Sequence, residues 1–147
     1  MPIVRRNEID IAEGTVPGIS SVLLVGEERG SETLRVGELT IQPRTRLAKH
    51  IHTNTEEAML VIEGSLDVTL SGERSTIGPG DVVVAPSGAE HGFTNRSDAK
   101  ARLLFIFPIH APDRVQSRVD NPLVGFQSEK GLTGYQSPSD RPLESKG

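Results

Sequence analysis

Three of the four histidines and one carboxylate stand at spacings suited to metal chemistry: His50, His52, Glu57 and His91. On a strand, side chains two apart project to the same face, so His50 and His52 project together and, if that face is the barrel interior, form a pair of neutral nitrogen ligands. Thr53, Asn54 and Thr55 form a polar turn, and Glu57 begins the next strand, where its carboxylate returns beside the imidazoles. His91 arrives from a later hairpin as the fourth donor. Such a set suits one divalent first-row metal per chain. Because the sequence has no cysteine, the donors lean toward iron, manganese, nickel or zinc. Taken singly, each piece has a plainer reading: a packed or surface HxH pair, a solvated turn at Glu56 and Glu57, an isolated His91. The punctuation around them decides for the set. Gly64 sits at a hairpin tip, and Gly78-Pro79-Gly80-Asp81 fits a turn that needs positive φ at Gly80. Pro86-Ser87-Gly88 then bends the chain just before His91.

The elements that must position these residues are short. Runs rich in Val, Ile, Leu and Thr alternate with Gly and Pro, which is the pattern of an all-β domain. Strands are expected at 19–25, 33–42, 48–52, 58–63, 65–71, 74–77, 81–85, 92–94 and 101–108. Leu66, Val68 and Leu70 alternate with Ser65, Asp67 and Thr69, giving that strand one dry and one wet face. Strands of this length and spacing point to a sandwich or a barrel. Residues 1–110 are expected to form one barrel domain, and 111–147 an irregular tail containing Pro, Gly and Ser. That tail reads as surface-hugging, or as an arm on a second subunit anchored by Val119, Leu123, Val124 and Phe126.

Composition narrows the functions. A chain of 147 residues, 35% hydrophobic, can bury a single core but not two. A formal charge of −4 with no long basic run argues against nucleic acid as the main partner. The absence of cysteine removes disulfide scaffolds, thiolate nucleophiles and iron–sulfur clusters. Arg5, Arg6, Glu8 and Asp10 stand where a secretory leader needs an apolar stretch, and no apolar run is long enough to span a membrane. The expectation is a cytoplasmic protein that engages neither membrane nor nucleic acid.

Two spaced motifs resemble those of the cupin superfamily. The first reads Arg44, five residues, His50-Ile51-His52, four residues, Glu57, six residues, Gly64. The second reads Gly80, five residues, Pro86-Ser87-Gly88, two residues, His91, three residues, Asn95, and every position of it matches. Fifteen residues, Ser65 to Pro79, separate them. One departure is Arg44, which stands where the family usually has glycine, so its turn must avoid positive φ or tolerate strain. The resemblance covers about residues 33–108. It implies a small cupin jelly-roll barrel, usually a homodimer, with His50, His52, Glu57 and His91 as metal ligands. Asn95 closes the turn after its strand on this reading.

The resemblance to cupin dioxygenases makes oxygen chemistry on a small, metal-chelating substrate the leading expectation. A Lewis-acid isomerase, lyase or cyclase is the second, and a non-catalytic binding cupin the third. Lewis-acid chemistry needs a proton acceptor, and Glu57 is the candidate; His110 and Tyr135 read as bystanders. Ala58 and Met59 follow Glu57 where some cupin lyases carry a tyrosine, which counts against that subgroup. Counting by twos from the ligands turns Met59, Val61 and Phe93 inward, and the last strand offers either Leu103, Phe105 and Phe107 or Leu104 and Ile106. The expected pocket is therefore Met59, Val61, Phe93, Phe105 and Phe107. Arg44, Arg46 and Lys49 read as a solvated basic stretch that would matter only at the pocket mouth. Ile51 lies between two ligands and faces outward, which suits a covered outer face and a homodimer.

Overall fold

The computed structural model describes residues 2–14 and 16–117. Eleven strands follow in chain order: β1 Ala12–Glu13, β2 Ile19–Val25, β3 Arg35–Ile41, β4 Thr45–Ile51, β5 Glu57–Glu63, β6 Leu66–Leu70, β7 Glu73–Ile77, β8 Val82–Ala85, β9 His91–Asn95, β10 Ala101–Phe107 and β11 Val115–Gln116. They form two antiparallel sheets, ordered β1-β2-β3-β10-β5-β8 and β11-β4-β9-β6-β7, the jelly-roll barrel expected from the sequence. Helical structure among the described residues is limited to single 3-10 turns at Arg6–Glu8 and Glu27–Arg29.

The barrel closes because each strand carries one apolar face. In β10, Ala101, Leu103, Phe105 and Phe107 are buried while the residues between them are half-buried. They meet Leu39, Ile41, Met59, Val83 and Ala85 of the same sheet and Leu47, Leu66, Val68 and Phe93 of the opposite one. Each large side chain buried in this way contributes about 1.5–3 kcal/mol. Gly37 makes room in this layer, since a Cβ there would lie 2.1 Å from Phe105 Cζ.

The turns follow the Gly and Pro signals. Asp81 N–H donates to the Gly78 carbonyl at 3.0 Å, Gly80 has φ 90°, and Gly78 N–H donates to Asp81 Oδ2 at 2.9 Å. Arg44 tolerates strain instead of avoiding it: its φ is 61°, and its guanidinium reaches Asp98 at 2.6 Å across the surface. Asn95 is fully buried, donates from Nδ2 to the carbonyls of Ile41 and Ala99, and accepts from Ser97 N–H. It closes its turn.

On the outer face of the larger sheet, Glu38 is buried between Arg102 and Arg6, which donate to it at 3.0–3.2 Å. Burial alone would raise this carboxyl; the two guanidiniums outweigh it and hold it below its ordinary value. Residues 111–117 return to the barrel. Val115 and Gln116 pair with Ile51 and His50, so residues inside the expected tail extend the smaller sheet. Val119, Leu123, Val124, Phe126 and Tyr135 lie outside the described residues. Among the described residues no helix is long and apolar enough to cross a membrane.

Candidate metal centre

His50, His52, Glu57 and His91 converge inside the barrel. One donor atom from each lies within 4.8 Å of all the others, and all four side chains are buried. His50 sits near the end of β4 opposite His91, the first residue of β9. His52 follows β4, and Glu57 opens β5. The Pro86-Ser87-Gly88 bend docks on the loop between them: Gly88 N–H donates to the His52 carbonyl and Ser87 Oγ to the Thr53 carbonyl, each at 2.7 Å.

The imidazoles are oriented by backbone. Nδ1–H of His50 donates to the Ala48 carbonyl at 2.9 Å and that of His91 to the Ala89 carbonyl at 3.0 Å. Nδ1–H of His52 donates to the Asp113 carbonyl. This leaves each Nε2 free to face the cluster, the arrangement by which hydrogen bonds to the outer nitrogen orient metal-binding histidines.

Electrostatics at the centre ask for a cation. Glu57 Oε2 lies 2.9 Å from His91 Nε2 and 3.0 Å from His52 Nε2. A carboxylate oxygen and imidazole lone pairs repel at that range unless a proton or a metal ion sits between them. Burial would raise the Glu57 carboxyl, but His52 and His91 outweigh it and hold it below its ordinary value. Burial would lower His52, yet Glu57 overrides it and raises the imidazole. His50 is driven well below its ordinary value by burial and by the charge of Arg114, so it remains neutral. The buried Nε2 of His52 has no aligned hydrogen-bond partner. Three nitrogens and one carboxylate oxygen therefore fit a single metal ion in donor type, orientation and charge.

The cluster forms one wall of a cavity of about 580 Å3, its open mouth included. Met59, Phe93, Phe105 and Phe107 are among its lining residues, together with Leu103. Val61 is not: it is buried with the right parity, but its place further along β5 puts it in the core outside the cavity. Leu47 enters because β4 carries a register shift between Leu47 and His50, which turns both inward where strict alternation would separate them. Leu39, Arg35, Pro112 and Arg114 complete the lining. Alternation along β3 would have shown Leu39 and Arg35 on one face. No periodic signal marks Pro112 or Arg114. Arg44, Arg46, Lys49 and His110 are not among the lining residues.

Comparisons with known proteins agree with this geometry. Residues 37–107 match the cupin domain. The chain is 30% identical over 108 residues to the polyketide synthase CurC of Streptomyces cyaneus, covering 73% of this chain and 70% of that one. Over 48 residues it is 40% identical to quercetin 2,3-dioxygenase of Bacillus subtilis, covering 33% of this chain and 14% of that enzyme. Its fold superposes on the polyketide cyclase RemF of Streptomyces resistomycificus with a TM-score of 0.72 at 22% identity, covering 90% of this chain and 98% of the other. Two spaced motifs, the first departing only at Arg44, a two-sheet barrel and these similarities lead to one conclusion: the chain belongs to the cupin superfamily.

Proposed function

We propose that this chain is a metal-dependent enzyme in which His50, His52, Glu57 and His91 hold one divalent transition ion, drawn from iron, manganese, nickel and zinc. Its substrate is a small organic molecule offering an oxygen pair. The observation that carries this reading is the convergence of three backbone-oriented Nε2 atoms and one carboxylate on the wall of an otherwise largely apolar cavity. When bound, the ion supplies Lewis acidity toward a carbonyl or enolate oxygen and, if redox-active, a site for O2.

The preferred reaction is proton abstraction next to a carbonyl, leading to cyclisation or isomerisation of an enolisable, polyketide-like substrate. The similarity to CurC across 70% or more of both chains supports it. A 1,3-dicarbonyl unit provides both the chelating oxygens and an acidic C–H. Glu57 is the proton acceptor in this scheme, through Oε1, since Oε2 is the oxygen turned toward the imidazole nitrogens. Leu39, Leu103, Phe105 and Phe107 hold the hydrocarbon body and exclude water from the reacting carbon. Oxidative cleavage is the second reading, favoured by the stretch shared with quercetin 2,3-dioxygenase.

Deuterium exchange at C2 of a β-keto ester, followed by NMR without oxygen on the metal-loaded protein, tests the choice. The expected result is exchange above the buffer rate, reduced about 100-fold or more in Glu57→Gln. Oxygen uptake with substrate cleavage would move the assignment to the second reading. Neither exchange nor uptake by metal-loaded protein would contradict both.

The same proposal includes a homodimer. Val82, Val84 and Ile62 are exposed on the outer face of the larger sheet, beside half-buried Leu60, Leu104 and Ile106. A contiguous apolar face of this kind suits a second copy. Sedimentation should show a dimer that Val84→Asp dissociates, and a monomeric wild type would refute it.

A further inference from the structure

The cavity contains two cations that the proposed reaction leaves unused. Arg35 opens β3 opposite Phe107, and Arg114 precedes β11; both line the cavity. Arg114 is buried, 8% exposed, and its charge acts on both His50 and His52. Arg35 is half-buried and makes no hydrogen bond or ion pair with any described side chain. Among the described residues Glu57 is the one carboxylate lining the cavity, and it lies against His52 and His91. Among the described lining residues, two arginines stand with this one carboxylate.

Arg114 is also held in place. Asp113 Oδ1 accepts from Thr53 N–H at 2.6 Å and from Asn54 N–H at 3.3 Å. Asn54 returns the contact, its Oδ1 accepting from Asp113 N–H and its Nδ2 donating to the Ala111 carbonyl. On the other side of Arg114, Gln116 pairs with His50 and Ser117 N–H donates to the Lys49 carbonyl at 3.0 Å. A backbone anchored on both sides of Arg114 fixes where its side chain enters the cavity. The guanidinium's planar fork matches two oxygens of a carboxylate.

We propose that Arg114, assisted by Arg35, is an anion-recognition site that selects organic acids: ligands with an apolar or aromatic body and a carboxylate or enolate beside the four-donor cluster. This deepens the reading above and rests on it for the role of the metal. The preference for an anion, however, belongs to the arginines and holds in metal-free protein.

Calorimetric titration of the full chain, metal-free and zinc-loaded, with 2-hydroxybenzoate and its neutral counterpart 2-hydroxybenzamide tests the proposal. The acid should bind metal-free protein about tenfold or more tightly than the amide, a difference of about 1.4 kcal/mol. Arg114→Gln should abolish most of that preference, Arg35→Gln should reduce it severalfold, and Arg114→Lys should keep part of it. Arg35 is only half-buried, so its variant keeps the test decisive if Arg114→Gln fails to fold. Equal affinities, no binding of the acid, or a preference unchanged in the foldable variants would overturn the proposal. Zinc uptake without charge preference would defeat this inference alone. Charge preference without zinc uptake would defeat the metal reading alone.

Discussion

At the scale of single residues, the candidate site depends as much on what orients the donors as on the donors themselves. The spacing of His50, His52, Glu57 and His91 was legible because strand periodicity and turn residues fix where such side chains project. Their backbone partners were not, since the Ala48, Ala89 and Asp113 carbonyls carry no signature in side-chain type. Leu47 was hidden by the irregularity in β4, and Val61 shares the inward parity but lies outside the cavity lining, since parity gives the face but not the depth along the barrel. The space occupied by the Phe105 ring depends on Gly37. Gly37→Ala should push that ring into the cavity and cost about 1–3 kcal/mol by overpacking. Urea denaturation checks the cost, and an unchanged midpoint would show that the ring has room to yield.

Among the elements, the strands from β2 to β10 were readable because apolar runs of four to eight residues bounded by Gly and Pro leave few alternatives. Most boundaries moved by one to three residues; β2 lies where expected, and β4 begins three residues early, at Thr45. The segment 111–117 escaped that logic. Its hold comes from the short β11 pairing and from side-chain-to-backbone hydrogen bonds instead of hydrophobic alternation, and the latter join Asp113 to residues about sixty positions earlier in the chain. Burial would raise the Asp113 carboxyl, but Thr53 and Asn54 donate to it and keep it below its ordinary value. A carboxyl lowered on folding contributes stability that is complete above its unfolded value and lost as pH falls through the lowered one. Asp113→Ala should therefore speed amide exchange at Gln116 and Ser117 at neutral pH while leaving β10 protected. The wild type should approach the variant as pH drops into the acid range. Equal exchange in the two proteins at neutral pH would mean that β11 pairing alone holds the segment.

For the molecule as a whole, two sheets of alternating strands enclose a core and leave a cavity with metal-type donors on one wall and aromatic rings on another. The barrel supplies rigidity, and the segment after β10 completes the cavity with Pro112 and Arg114. An ion bound to the folded chain and not to the unfolded one also raises stability by mass action, which links occupancy of the site to the fold around it. Occupancy of the four-donor cluster is read by elemental analysis of protein purified without a histidine tag. Close to one divalent transition ion per wild-type chain is expected, and almost none in the His50→Ala, His52→Ala, His91→Ala triple variant, which should still fold as a barrel. Wild type that stays metal-free after reconstitution, or a triple variant that retains the same stoichiometry, would contradict a metal site at this cluster.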